Sequence, residues 1–184
     1  GYAMEARINA ERISKQGDGS LAFRPHPGKI EECCFPEEDS VEIIAAVGPG
    51  KFISPYYDSM VAQIIVHAES REAAAAKLAD YLGRVTLTGI CTNIPLLREI
   101  LVDEVFLAGV YDTNYLPEFL QRTDVEALIE AIEQGSGVAN SGIDLDSLRI
   151  ESSEELKVLA PATAIFYSTP SPSEPEYVSV GDEV

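Results

Sequence analysis

Arg7 is the residue whose setting first suggests chemistry. It sits inside a segment that alternates strictly, with Tyr2, Met4, Ala6, Ile8 and Ala10 on one side and Glu5, Arg7, Asn9 and Glu11 on the other. Period two is the pattern of a strand with one buried face and one polar face. A guanidinium fixed on a strand and steered by neighbouring acceptors can offer its planar fork to a carboxylate or a urea-type oxygen. The same group can instead close a structural ion pair with Glu5 or Glu11. Spacing alone favours the ion pair, because charged side chains are common on a strand's polar face.

The other reactive side chains form no recognisable constellation. His26 and His67 lie far apart and neither has a neighbouring Ser or Cys, so a structural role is the default for both. Cys33 and Cys34 are adjacent and fall on opposite faces of any strand, and Cys91 stands alone. That is neither a disulfide framework nor the ligand spacing of a zinc site, so no metal centre is expected from this chain alone. There is no phosphate-cradling G-x-x-x-x-G-K-[ST] loop and no G-x-S-x-G elbow, and Gly17, Gly19 and Gly28 miss the dinucleotide spacing.

The elements that must position these residues can be read from periodicity and punctuation. After the opening strand, residues 12–28 hold Gly17, Gly19, Pro25, Pro27 and Gly28 and read as a loop. Residues 29–34 and 41–46 read as strands around the acidic turn Glu37-Glu38-Asp39. Ser59–Ala68, apolar on both faces apart from Gln63 and His67, reads as a central, doubly covered strand. Ser70 is a good N-cap for a helix with Ala74, Leu78, Tyr81 and Leu82 inward and Gly83 as its C′ residue. Thr92 caps a second helix through residue 101, with Ile94, Leu97 and Leu101 inward. Thr123 and Glu126 fit a capping box for a third, with Val125, Leu128, Ile129 and Ile132 inward and Gly135 at its end. Residues 135–153 have linker composition. Leu156–Leu159, Thr163–Tyr167 and Tyr177–Val180 are short strands around the Pro- and Ser-rich stretch Ser168–Pro175. The fold class is α+β, an antiparallel sheet with packed helices, followed by a short all-β segment.

Composition narrows the function classes. The chain has 184 residues, 46% of them apolar, and a formal net charge of −18. So acidic a protein is a poor partner for nucleic acid or an anionic membrane. Any anionic ligand must be met by individually placed Arg or Lys side chains. The excess of acid is concentrated in residues 118–184, which reads as a solvated surface. With no apolar run long enough to span a bilayer and no signal peptide, the expectation is a cytoplasmic protein.

Gly1-Tyr2-Ala3-Met4-Glu5-Ala6-Arg7-Ile8-Asn9-Ala10-Glu11 resembles the G-H-A-[IV]-E-x-R-[IL]-N-A-E segment of biotin carboxylases. Pro27-Gly28-Lys29-Ile30, Pro55-Tyr56-Tyr57-Asp58-Ser59-Met60, Ser70-Arg71-Glu72-Ala73-Ala74, Gly89-Ile90 with Thr92-Asn93, and Tyr111-Asp112-Thr113 continue the similarity in order. Together they cover roughly residues 1–120. The resemblance is to the biotin carboxylase C-terminal domain, which follows an ATP-grasp domain. Val158-Leu159-Ala160-Pro161, the Pro- and Ser-rich stretch Ser168–Pro175 and Tyr177–Val184 resemble the first half of a biotinyl domain with the "thumb" of acetyl-CoA carboxylase carriers. The division expected is 1–134 for the C-terminal domain, 135–153 for a linker and 154–184 for a truncated biotin carrier domain.

The resemblance implies a role for Arg7. In the family, ATP and bicarbonate form carboxyphosphate and carbon dioxide passes to the ureido nitrogen of biotin. The position matching Arg7 contacts the ureido oxygen and stabilises its enolate-like anion. Thr113 and Asn114 match positions that edge the adenine pocket, although a turn and a helix N-cap explain them equally well. Asp58 matches a position near the family's dimer interface, with support of a buried turn as its alternative. ATP, magnesium and biotin are thus cofactors of the full-length enzyme. The partners implied are the upstream ATP-grasp domain, the biotin carrier domain, the carboxyltransferase component and a homodimer mate.

The family's magnesium- and bicarbonate-holding Glu-x-Asn-x-Arg run and its Met-Lys-Met biotinylation motif lie outside the matching segments. This chain alone is therefore expected neither to hydrolyse ATP nor to carry biotin. Residues 154–184 are expected to be disordered alone or to pair with another chain, since half a barrel exposes unpaired edges. Pro36–Glu42 replaces the family's Gly-Gly-x-Gly-Val-Arg, with Glu42 in the place of a dimer-side arginine, and Gln63 replaces a common Lys. Two other readings stay open: a noncatalytic docking or dimerisation module, and the biotin carboxylase portion of a propionyl-CoA, pyruvate or urea carboxylase.

Overall fold

A computed structural model describes residues 1–17 and 20–137. The linker and biotinyl expectations for residues 138–184 lie outside the described residues. The elements run β1 (Tyr2–Asn9), β2 (Glu11–Lys15), β3 (Leu21–Pro25), β4 (Gly28–Lys29), β5 (Cys33–Cys34), β6 (Val41–Ala45), β7 (Phe52–Ile53), β8 (Met60–Ala68), α1 (Arg71–Arg84), β9 (Thr86–Leu87), α2 (Ile94–Val102), α3 (Glu104–Ala108), α4 (Tyr115–Arg122) and α5 (Val125–Ser136). This is the expected α+β arrangement of antiparallel sheet and packed helices.

The principal sheet among the described residues has the order β1-β8-β6, antiparallel throughout. Its register aligns Ala6, Ile64 and Ile43 across the three strands, and Met4, Val66 and Val41 beside them. Alternation places those residues, with Ile8 and Ala62, on one face. Helix α1 covers that face with Ala74, Ala75, Leu78, Tyr81 and Leu82, and the cluster they build is the main core. Strand β8 is central, as expected, but it is not covered on both faces. Val61, Ala62, Ile64 and Val66 are buried, whereas Gln63 and Ile65 are half-buried and His67 is exposed. An apolar run can belong to a strand covered on one face when its second face carries partly shielded side chains.

A second core joins Ile13, Cys91, Leu96, Tyr115, Phe119, Leu128 and Ile132. It rests on a hairpin where a loop was expected: β2 and β3 pair from Glu11–Pro25 to Lys15–Leu21. Gly17 follows β2, Pro25 is the last residue of β3, and Pro27 and Gly28 lie beyond it, so none of them interrupts the pairing. Conversely, the strand expected over 29–34 reduces to the short bridges β4–β7 and β5–β9. Helix α3 was not foreseen, because it is short and buries no residue fully; α4 was foreseen only as a helix that Asn114 would cap, and Asn114 is its N-cap.

Helix ends differ from expectation for identifiable reasons. Ser70 caps α1 as read, accepting from the Ala73 N–H at 3.1 Å. Gly83 is not C′ but lies inside the helix, where a Cβ would stand 3.3 Å from the Arg98 guanidinium; the chain leaves the helix at Val85. Thr92 is buried and Asn93 holds the N-cap position of α2. Thr123 and Glu126 form no capping box. Asp124 caps α5 by accepting from Ala127 N–H at 3.0 Å, Thr123 donates back to Phe119 O, and Glu126 pairs with Lys15. Helix α5 continues past Gly135 to Ser136, and Gly137, at φ +65°, provides the left-handed cap.

Gly89 fastens the two cores together. Its φ is +90°, and a Cβ there would lie 2.2 Å from Lys29 O and 2.8 Å from Glu31 N. Its N–H donates to Ser136 O at 2.8 Å, while Glu31 N–H donates to Thr88 O at 2.9 Å. No side chain fits where three stretches of backbone meet so closely.

Candidate functional site

The open face of the sheet carries the polar side chains of β1. Arg7 stands opposite Gln63 in register, with Glu5 one step along the same face. Arg7 Nε donates to Glu5 Oε1 at 2.8 Å, and Gln63 Nε2 donates to the same oxygen at 3.0 Å. The Arg7 bond, with Gln63 behind it, holds the Glu5 carboxyl below its ordinary range. The Glu5 bond and charge hold the Arg7 guanidinium above its own, with a smaller contribution from Asp58. Arg7 therefore remains a cation at any working pH.

The ion pair expected from spacing is thus present, with Glu5 as partner. It uses the Nε edge of the guanidinium and leaves the Nη groups without a hydrogen bond among the described residues. The Arg7 side chain is 68% exposed. A carboxylate holds the group at its Nε, and the exposed side chain keeps its Nη donors accessible. Such donors suit an oxygen on which negative charge develops. Glu11, the other candidate partner, is engaged elsewhere, accepting from Ser59 Oγ at 2.6 Å and from Asn9 Nδ2 at 3.1 Å. Asp58 is exposed and accepts from Met60 N–H at 2.7 Å, so it supports a turn, though not a buried one.

The backbone under Arg7 is held by Asn93. Its Oδ1 accepts from Asn9 N–H at 2.9 Å, its Nδ2 donates to Arg7 O at 3.0 Å, and its own N–H donates to Asn9 O at 3.2 Å. Periodicity gave no sign of this residue. It entered only within the Thr92-Asn93 pair of the resemblance, with no role attached, and it stands at the start of α2, where Asn is a common cap.

Among the described residues no hydrogen bond links Thr113 or Asn114 to this constellation. Both are exposed in the turn that enters α4, where Asn114 is the N-cap and its N–H donates to Asp112 Oδ1 at 2.7 Å. That turn is anchored by Asp103, which sequence reasoning missed. Asp103 caps α3 through Phe106 N–H, receives the Tyr115 hydroxyl at 3.0 Å, and is gripped by Arg122. Arg122 chiefly, with these hydrogen bonds, lowers the Asp103 carboxyl to about 2.

His26 and Cys91 are buried together, with His26 Nδ1 accepting from Cys91 N–H at 3.1 Å. Burial pushes the imidazole down and the thiol up, so both are held neutral in a structural role. Among the described residues, no group of three or more His, Cys, Asp or Glu side chains is placed to hold a metal ion. No described helix is long and apolar enough to cross a membrane.

The family model for the biotin carboxylase C-terminal domain matches residues 5–118. The chain belongs to this family.

Biotin carboxylase 1 of Bacillus subtilis is 37% identical over 119 residues, which cover 65% of this chain and 25% of that protein. Mitochondrial pyruvate carboxylase of Rattus norvegicus is 33% identical over 119 residues, 64% of this chain and 10% of that protein. Among solved structures, the biotin carboxylase domain dimer of Hydrogenobacter thermophilus 2-oxoglutarate carboxylase, crystallised with MgADP, ADP and bicarbonate, superposes with a TM-score of 0.58. It is 36% identical and covers 66% of this chain and 25% of that chain. This biotin carboxylase C-terminal domain therefore spans about a quarter of the biotin carboxylases it matches. The matched range contains Glu5, Arg7, Gly89 and Asn93, so the polar face and its supports all fall inside the family domain.

Proposed function

We propose that this chain is part of the biotin carboxylase component of an acetyl-CoA carboxylase, and that it closes the active site by presenting Arg7 to the ureido oxygen of biotin. The observation that carries the reading is the Arg7 guanidinium itself: held at its Nε by Glu5, rooted on a sheet strand and exposed, with its Nη groups making no hydrogen bond among the described residues. In the proposed reaction the ureido nitrogen becomes nucleophilic as charge shifts to the ureido oxygen. A fixed cation at that oxygen lowers the barrier without having to reorganise.

ATP and magnesium belong in this reading to an upstream ATP-grasp domain, with Thr113 and Asn114 edging the adenine site from this side. The exposed turn that holds them is available to a neighbouring domain. Biotin arrives on a carrier domain and the carboxyltransferase component takes the carboxylated product; the family's homodimer is the implied assembly, and Glu42 in the place of a dimer-side arginine counts against it. The Pro- and Ser-rich stretch Ser168–Pro175 favours acetyl-CoA over propionyl-CoA, pyruvate or urea as the acceptor.

A second reading, a noncatalytic docking module, draws on the acidic segment Glu37–Glu42, whose Glu42 is exposed on the edge strand β6. Sequencing the coding DNA on either side separates the two. A Glu-x-Asn-x-Arg run upstream and a Met-Lys-Met downstream are expected for the carboxylase. Their absence from the gene would leave the docking module as the better account.

A further inference from the structure

Strand β1 needs a support on the side away from β8. Its register with β8 slips between Ile8 and Asn9, where β8 carries Val61 as an extra residue, so the ladder is interrupted just beyond Arg7. At an edge, a backbone carbonyl and N–H with no ladder partner leave the strand free to twist. The Asn93 side-chain amide fills that gap. It bonds the carbonyl of Arg7 and the N–H of Asn9, on either side of the fully buried Ile8.

The use of Asn93 is unusual for its position. An Asn at a helix N-cap ordinarily turns its side chain to the helix's own free N–H groups. Here there is no side-chain cap bond to α2, and both ends of the amide go to β1. We propose that Asn93 is a positioning residue for Arg7, setting the angle at which β1 presents the guanidinium to biotin. Asn93 has this role only if Arg7 contacts biotin, the reading proposed above.

The lever arm makes the effect large. A tilt of about 10° at the Arg7 Cα carries a guanidinium roughly 6 Å away through about 1 Å, and misplacement on that scale is costly to catalysis. Glu5 cannot correct such a tilt, because it rides on the same strand.

The test is a double-mutant cycle in the full-length carboxylase, with free biotin as the probe substrate and biotin-dependent kcat/KM as the readout. Asn93→Ala is expected to lower kcat/KM about 10-fold when Arg7 is present and by less than about 2-fold in the Arg7→Ala background. Equal losses in the two backgrounds would make Asn93 a structural residue and overturn the proposal while leaving the role of Arg7 intact. No loss with Arg7 present would also overturn it. If Arg7→Ala itself costs nothing, the reading of Arg7 fails and the role of Asn93 falls with it. Should Asn93→Ala not fold, Asn93→Asp carries the same cycle, since it keeps the acceptor for Asn9 N–H and loses the donor to Arg7 O; its loss is likewise expected only where Arg7 is present.

Discussion

Arg7 and Gln63 share a single acceptor: the Arg7 Nε and the Gln63 Nε2 both donate to Oε1 of Glu5, at 2.8 and 3.0 Å. One carboxylate oxygen therefore fixes a cation and a neutral amide on adjacent strands. Because the amide is neutral, residue 63 offers Arg7 no rival charge for Glu5.

The identity of residue 63 should then tune Arg7. Gln63→Lys places a second cation opposite Arg7, where it competes for Glu5 and repels the guanidinium. An exposed pair of this kind is worth a fraction of a kcal/mol, so biotin kcat/KM should fall roughly 2–5-fold. Steady-state kinetics with free biotin checks this, and the loss should shrink as salt is raised. An unchanged kcat/KM would mean that Glu5 does not steer Arg7.

Gly89→Ala should be severe. The new methyl would overlap the backbone at Lys29 and Glu31, and φ of +90° is itself strained for alanine. Backbone cannot yield as a flexible side chain does, so the expected loss is at least about 3 kcal/mol, or failure to fold. Denaturant unfolding measures it; a loss below about 1 kcal/mol would show that the three stretches of backbone separate more easily than their hydrogen bonds indicate.

The Asp103 cluster predicts an acid limb. Its folded value, about 2, lies below the ordinary 3.8, so the unfolded chain takes up the proton first. The stabilisation is present in full above the ordinary value and is lost as pH falls from there through about 2. Asp103→Asn keeps an oxygen to cap α3 but removes the charge that Arg122 grips. It should cost about 1–2 kcal/mol at neutral pH, allowing for an exposed partner, and flatten the dependence between pH 4 and 2. Stability against pH for the two proteins checks both points. Parallel curves would assign the acid limb to other carboxylates.

Much of this architecture was legible from periodicity. The strand at Tyr2–Asn9, the strand at Val41–Ala45 and the stripes of α1 and α5 are regular and long enough to read. The β2–β3 hairpin was hidden because Gly17 and Gly19, which stand between the two strands in sequence, suggest a loop throughout. Helix ends slipped by one or two residues wherever two capping residues stood side by side, as at Thr92-Asn93 and Thr123-Asp124. Of the site, Arg7 and its partner Glu5 were legible because both lie on one strand. Asn93 was not, since its function depends on bonds to residues more than eighty positions away in sequence. Asp103 was missed for a similar reason: its partners Tyr115 and Arg122 meet it only once α3 and α4 have folded.

The most direct test of the central claim is the transfer of radiolabelled bicarbonate to free biotin by the full-length protein with Arg7 and with Arg7→Ala. Loss of a fixed charge at the ureido oxygen should lower the rate about 10²-fold. Arg7→Lys should recover little of it, since a lysine lacks the Nε that holds Glu5 and the fork that remains open. Carboxylation by Arg7→Ala at the rate of the parent would contradict the account and leave Arg7 with only its ion pair.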